Sequence, residues 1–191
     1  MANVLWKTLV PYVQPEVTTC PKGTIINEIR RSAIVFCESS SVWEESLDQL
    51  FFPAGLDTAG LDAPHGARVF LVTELKGKDG ILDPRHDYYA TASTVTLREK
   101  PSIDASYEVR ALLKPTLSSD GMPEGLIEDW GLKIAYGAIA SLKAMRGLEW
   151  EDLTGAQIKM KLFNDGIADA RLSRLHGGTN KPLRVRSRSF F

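Results

Sequence analysis

Apolar residues recur every three or four positions in three stretches of the chain, and this spacing is that of one face of an α-helix. The first predicted helix covers residues 24–40, with Thr24 as a suitable N-cap. Its apolar face consists of Ile25, Ile29, Ala33, Phe36 and Cys37. Cys37 is therefore expected to be a buried thiol.

Two longer helices are predicted further along, over about 124–146 and 153–176. The apolar residues of the first are Leu126, Trp130, Ile134, Ala138 and Leu142. Those of the second are Ala156, Met160, Phe163, Ile167 and Ala170. The first also contains Gly131 and Gly137, and an interior glycine costs a helix about 1 kcal/mol relative to alanine. Small residues let another backbone approach closely, so this helix is predicted to be central, with Gly137 against a neighbouring helix.

Between the first helix and these two, hydrophobicity alternates at every second residue, as in half-buried β-strands. Strands are predicted over 68–76, 89–97 and 107–114. They are expected to form a small antiparallel sheet within a β-rich insertion over about 66–115. Residues 53–66 are rich in Gly, Pro, Ala and Asp and are predicted to be a loop.

The predicted fold class is α+β. A helical body, with one N-terminal helix and two long C-terminal helices, carries the inserted small antiparallel β-sheet and an extended C-terminal arm. Residues 1–23 contain three spaced prolines and are predicted to be extended. A chain of 191 residues is long enough to bury a core, and residues 1–176 are predicted to form a single domain followed by an arm over 177–191.

The predicted arm differs in composition from the rest of the chain. Residues 174–191 contain five Lys or Arg and no Asp or Glu. Two glycines and a proline end the preceding helix, and arginine then alternates with apolar or small residues, as in an extended strand. Such a segment is either a loose tail or an arm that becomes ordered on another surface. Phe190 and Phe191 favour the arm, because exposed Phe is unfavourable unless it enters a pocket.

Charge is distributed unevenly, although the net charge of the chain is only −1. Residues 1–149 carry a net charge of −5, and residues 150–191 carry +4. A molecule with unlike ends can associate head to tail or dock on a charged partner. No signal peptide or apolar run of membrane-spanning length is indicated, so we expect a soluble protein of a reducing cytoplasm, with no membrane partner.

Catalytic motifs are lacking in the sequence. It contains no glycine-rich nucleotide loop and no nucleophile-elbow motif, so no enzyme activity, catalytic residue or cofactor is predicted. Neither cysteine belongs to a C-x-x-C pair, and no metal site is predicted. His86 lies between Asp83 and Asp87, which resembles part of a metal or acid/base site, but a polar turn explains this pattern equally well.

Several sequence segments, taken in order, carry a likeness to one protein family. They are L-V-P-Y-V-Q-P-E-V at 9–17, I-R-R-S-A-I-V-F-C-E-S-S-S-V-W at 29–43, V-T-L-R-E-K-P followed by Y-E-V-R-A-L-L-K-P-T, W-G-L-K-I-A-Y-G-A-I-A-S-L at 130–142 with E-W at 149–150, and the closing L-R-V-R-S-R-S-F-F. In order and spacing they resemble bacteriophage head-to-tail adaptor (connector) proteins. The resemblance covers nearly the whole chain, while residues 51–66 and 74–88 match no part of the family.

The resemblance implies a structural protein of the virion that forms a ring, usually of twelve copies, beneath the portal. Such a ring extends the DNA channel and provides the platform for the tail. The expected partners are further copies of the chain, the portal protein, a tail or nozzle protein, and double-stranded DNA that passes through without specific binding. The arm would reach along the portal. Its docking residues would be Leu183, Arg184, Val185, Arg186, Arg188, Phe190 and Phe191.

Glu44, Glu45 and Asp48 form an acidic cluster in the sequence. A solvated face is the usual explanation of such a cluster. In a ring these residues are candidates for lining the DNA channel or for contacts between subunits, because negative charge keeps DNA from binding. The alternative function is a small nucleic-acid-binding module that uses the basic arm for phosphate contacts. The acidic body, and the lack of stacking aromatics between the cations, argue against this alternative.

Overall fold

The computed structural model describes residues 3–176, and the predicted arm over 177–191 lies outside the described residues. The α-helices are α1 (Val10–Val13), α2 (Lys22–Ser40), α3 (Glu124–Lys143) and α4 (Leu153–His176), with 3₁₀ turns at Trp6–Leu9 and Gln14–Glu16. The strands are β1 (Asn3–Leu5), β2 (Glu44–Phe52), β3 (Thr58–Gly60), β4 (Ala67–Gly77), β5 (Gly80–Ile81), β6 (Tyr88–Ala90), β7 (Thr94–Leu97), β8 (Ala105–Pro115) and β9 (Gly121–Pro123).

The fold is mixed α+β, with four α-helices and three antiparallel sheets in residues 3–176. The predicted architecture, a body of three helices with one small inserted sheet, is therefore wrong. One cause lies in residues 1–23, which were predicted to be extended from their prolines but contain α1 and both 3₁₀ turns. Pro11 and Pro15 each lie in the first turn of a short helical segment, where proline needs no N–H partner and has a helical φ.

The largest sheet has four strands in the order β2-β8-β4-β5. Its edge strand β2 was missed, so the β-rich region begins at Glu44 and not at about residue 66. Two features of β2 make its alternating pattern hard to recognise in the sequence. Three acidic residues dilute its hydrophobicity, and a bulge between Leu47 and Leu50 breaks the alternation.

A second, three-stranded sheet has the order β3-β7-β6. The strand predicted over 89–97 is wrong, because the chain turns back at Thr91 and forms the separate strands β6 and β7. The Thr91 N–H donates to the carbonyl of Thr94 at 2.8 Å and closes this turn. Residues 53–66 are likewise not wholly a loop, since they contain β3, which pairs with β7.

The third sheet is the pair β1-β9, which fixes the start of the described chain beside the start of α3. A Cβ atom at Gly121 would overlap the carbonyl of Val4, so this pairing needs glycine. The indole N–H of Trp6 donates to the carbonyl of Ser119 at 2.8 Å in the same region. The helical segments after β1 are thereby held against α2 and α3.

The helical core is built around α3, as the glycines predicted. A Cβ atom at Gly137 would overlap Ser32 Oγ on α2 and would lie 2.7 Å from a ring carbon of Phe163 on α4. A Cβ atom at Gly131 would lie 2.9 Å from a methyl carbon of Leu9. The prediction that Gly137 faces a neighbouring helix is confirmed, and the glycine faces two helices rather than one.

The helix ends differ from the predicted ones in two places. The N-cap of α2 is Pro21 and not Thr24, and no side chain caps this end. Helix α3 ends at Lys143, before the predicted residue 146. Cys37 is fully buried on α2, as predicted, and burial raises its pKa to about 12.

Candidate assembly surface

The C-terminal end of α4 is attached to the body by two arginines. Arg171 donates from Nε to the carbonyl of Ser39 at the end of α2. Arg174 lies 3.5 Å from the carboxylate of Glu44, the first residue of β2. We call Arg171 and Arg174 with these two partners the arm root, because the predicted arm begins three residues after Arg174.

The three residues of the predicted acidic cluster lie in three different environments. Glu44 pairs with Arg174 and also accepts a hydrogen bond from Thr73 Oγ1 at 2.7 Å. Glu45 accepts from the indole N–H of Trp43 at 2.9 Å. Asp48 is exposed and lies within the β2 bulge. Successive residues of a strand point to opposite faces, so Glu44 and Glu45 do not form one acidic surface.

Three large apolar residues are exposed along the outward face of α4. The exposed fractions are 57% for Ile158, 51% for Leu172 and 65% for Leu175. The opposite face of the helix is buried through Phe163, Ile167 and Ala170. The sequence predicted only the buried face, because lysines and aspartates interrupt the exposed apolar row. Met160 was predicted on the buried face and is instead 41% exposed.

A cluster of charges joins the N-terminal helical segments to α3 and α4. Glu16 accepts hydrogen bonds at 2.7 Å from both Lys143 and Lys159. The bond from Lys143, followed by that from Lys159, lowers the pKa of Glu16, and the bond to Glu16 raises the pKa of Lys143. This cluster has no local signal in the sequence, since the two lysines are 127 and 143 positions from Glu16.

The corner between α3 and α4 is fixed by Asp152. Its carboxylate accepts from the N–H of Gly155 at 2.8 Å, and its second oxygen lies 3.3 Å from Lys143. The bond from Gly155, more than that from Lys143, lowers the pKa of Asp152. Asp152 therefore caps the start of α4 and links it to the Glu16 cluster.

The candidate site at His86 is a turn. The carboxylate of Asp83 accepts from the N–H of Arg85, and that of Asp87 accepts from the N–H of Asp83, both at 2.7 Å. His86 lines an open groove of about 640 Å³ together with Asp87 and residues 99–107. Between residues 3 and 176, no group of three His, Cys, Asp or Glu side chains is arranged to hold a metal ion. Both carboxylates of this turn are thus used by its own backbone.

No protein-family model matches this sequence, and no curated protein matches it. The seven predicted docking residues, Leu183 to Phe191 without Ser187 and Ser189, lie outside the described residues. None of the helices in the described part of the chain is long and apolar enough to cross a membrane. Three described surfaces bear on function: the arm root, the exposed row of α4 and the open groove beside His86.

Proposed function

We propose that this protein is the head-to-tail adaptor of a tailed bacteriophage, present in the virion as a ring between portal and tail. The observation that carries the proposal is the arm root. Two arginines hold the C-terminal end of α4 against Ser39 and Glu44, so the basic segment that follows leaves the body from a fixed point. A segment that starts from a fixed point loses less entropy on docking than one on a loose helix.

The arm has suitable chemistry for a protein partner. Arg184, Arg186 and Arg188 can form bidentate, charge-assisted hydrogen bonds with carboxylates of the portal. Phe190 and Phe191 can enter apolar pockets, and full burial of one such side chain contributes about 1.5–3 kcal/mol. Repetition of modest contacts around a ring gives tight binding through avidity.

Contacts between copies are assigned to the exposed row of α4. A heterologous contact, in which two different surfaces of the chain meet, closes into a ring when its rotation allows. Ile158, Leu172 and Leu175 supply an apolar surface for one side of that contact. The unequal charge of the two parts of the chain favours a head-to-tail arrangement over a two-fold one.

The acidic body suits a channel through which DNA must pass. Residues 3–176 contain 19 Lys and Arg and 24 Asp and Glu, a net charge of −5. A surface of this sign repels phosphates and does not retain the duplex. The same charge disfavours the alternative of a nucleic-acid-binding module.

The test combines the purified protein with the portal protein of the same phage. Native mass spectrometry is expected to show a closed ring of this chain on portal, and a monomer or weak oligomer without portal. A salt titration with duplex DNA should show negligible binding near physiological salt. A portal-free dimer as the only assembly would contradict the ring, and tight salt-dependent DNA binding would favour the nucleic-acid module.

A further inference from the structure

The open groove of about 640 Å³ lies where the β4–β5 hairpin meets the segment that leads into β8. Residues 77–82 of the hairpin and residues 99–106 both line it. Each of these two segments has a largely exposed isoleucine, Ile81 at 65% and Ile103 at 75%. Two large apolar side chains exposed in one groove are typical of a surface that binds another molecule.

The groove is already formed in the chain alone. Tyr107 lines it, and the ring of Tyr107 meets the buried ring of Phe52 edge-on, with the centroids 5.5 Å apart. A Cβ atom at Gly77 would lie 2.8 Å from a carbon of the Tyr107 ring, so the glycine lets the hairpin approach this ring closely. Packing on two sides therefore holds Tyr107 in place, and a partner meets a surface that needs little rearrangement.

The charges around the groove are mainly negative. Two lysines and four carboxylates line it, namely Lys78, Lys100, Asp79, Asp87, Glu99 and Asp104. Backbone N–H groups donate to Asp87 and Asp104, but these bonds leave both carboxylates charged. Lys100 lies 3.8 Å from Asp57, which offsets part of its positive charge. The groove is therefore complementary to a segment that combines an apolar side chain with Lys or Arg.

We propose that this groove is the docking site for the tail protein, which inserts a large apolar side chain flanked by basic residues. The inference rests on the proposed function, because that function gives the ring a tail partner. Ile81 and Ile103 are the apolar contacts for the inserted side chain, and the carboxylates of Asp79 and Glu99 face its basic neighbours.

The groove and the arm root lie at opposite ends of the four-stranded sheet. Glu44 of the arm root pairs with Leu112 of β8, whereas the groove includes Ala105, the first residue of β8. The seven positions from Ala105 to Leu112 correspond to about 24 Å along an antiparallel strand. An adaptor must bind portal and tail at the same time, and surfaces this far apart do not compete. Since the arm root is assigned to portal docking, the groove is available for the tail.

The test uses rings of this chain assembled on portal and mixed with the tail or nozzle protein of the same phage. Ile103→Asp places a charge among the apolar contacts and is expected to weaken tail binding about tenfold or more, while the rings on portal stay intact. The matched control is Leu117→Asp, because Leu117 is 76% exposed and lies outside the groove. This control should bind the tail protein like wild type.

A second variant tests the charge of the groove. Asp79→Asn with Glu99→Gln removes two exposed carboxylates and changes little else in shape. Tail binding should weaken, and the loss should be larger at low salt than at high salt, because salt screens exposed charges. Unchanged tail binding at low salt would overturn the basic character assigned to the docking segment.

Equal tail binding by Ile103→Asp and Leu117→Asp would overturn the proposal and place the tail site elsewhere. Loss of the rings themselves in Ile103→Asp, but not in Leu117→Asp, would assign the groove to contacts between copies and also overturn it. Wild-type protein that forms no ring on portal would contradict the proposed function, and the groove assignment with it. The portal step and the tail step are measured separately, so the two failures are distinguishable.

Discussion

At the scale of single residues, glycines set the distance between the helices. Gly137 leaves room for both Ser32 and Phe163, and Ser32 Oγ uses that room to donate to the carbonyl of Ile134 at 2.7 Å. Gly166 on α4 similarly admits the side chain of Lys133, whose Cβ would lie 2.8 Å from an added Cβ. The helical body is therefore sensitive to even one methyl group at these contacts.

Gly137→Ala is predicted to destabilise the protein by about 1–3 kcal/mol, because the new methyl group overpacks the contact with Ser32 and Phe163. Gly137→Leu should be at least as harmful. The matched control is Gly125→Ala on the same helix, where an added Cβ meets nothing within 4 Å. Helix propensity alone makes that change neutral or stabilising, by up to about 1 kcal/mol. Equal denaturant midpoints for the two alanine variants would show that α3 is not packed on two sides.

Glu16→Gln is predicted to lower the melting temperature at neutral pH by about 2–4 °C, equivalent to about 1 kcal/mol in a domain of this size. The variant lacks the charge that Lys143 and Lys159 contact, although Asp152 still faces Lys143. Because the folded pKa of Glu16 is lowered, its contribution is complete above the ordinary glutamate pKa of 4.5 and is lost as pH falls through the folded value.

Thermal melts over a pH series check this expectation. The difference between wild type and Glu16→Gln should shrink as the solution is acidified below pH 4.5. Glu149→Gln, at an exposed glutamate, is the control and should match wild type throughout. A difference that is the same at every pH would mean that the Glu16 carboxylate charge does not stabilise the fold.

At the scale of elements, a regular hydrophobic period was sufficient to predict a helix or strand, and an interrupted period was not. Helices α2, α3 and α4 and strands β4 and β8 lie where the periodicity placed elements, since each repeats its apolar residues over several turns or pairs. Strand β2 was not predicted because its acidic residues and its bulge interrupt the alternation. Helix α1 was not predicted because its prolines resemble helix breakers. Both depend on contacts with distant segments, β8 for the strand and α2 and α3 for the helix, which no local window contains.

The candidate site was likewise predictable only in part. The basic composition of the arm is visible in the sequence, because it needs only a count of residues. The pair Arg174–Glu44 is invisible there, since 130 positions separate its partners and only the packing of α4 beside β2 brings them together. The sequence therefore predicts a basic arm, but it gives no sign of the contact between Arg174 and Glu44 that holds the end of α4.

The double variant Arg171→Ala with Arg174→Ala is predicted to weaken docking to portal while changing the free energy of unfolding by less than about 1 kcal/mol. Without the arm root, the arm starts from a less fixed point and loses more entropy on docking. Arg146→Ala, at an exposed cation between α3 and α4, is the control. Portal affinity measured by sedimentation should fall for the double variant and not for the control; equal affinities would remove the arm root from the docking mechanism.

At the scale of the whole molecule, an acidic body is followed by a basic segment, and the proposed ring uses the exposed row of α4 to connect neighbouring copies. Leu172→Asp is predicted to prevent ring formation on portal, since it places a charge in an apolar contact that excludes water. Ser173→Asp adds the same charge at the adjacent exposed position and should leave the ring intact. If native mass spectrometry shows equal rings for both variants, this face of α4 does not join the copies.

Portal docking by a chain that lacks Leu183–Phe191 tests the proposed adaptor function most directly. The deleted residues lie beyond the described fold, so the circular dichroism spectrum and the melting temperature are expected to stay close to those of the full chain. The truncated protein is predicted not to sediment with portal, because it lacks the arginines and phenylalanines proposed to make the contact. A truncated protein that docks as strongly as the full chain would contradict docking through the arm, and the helices or sheets would then have to form the interface.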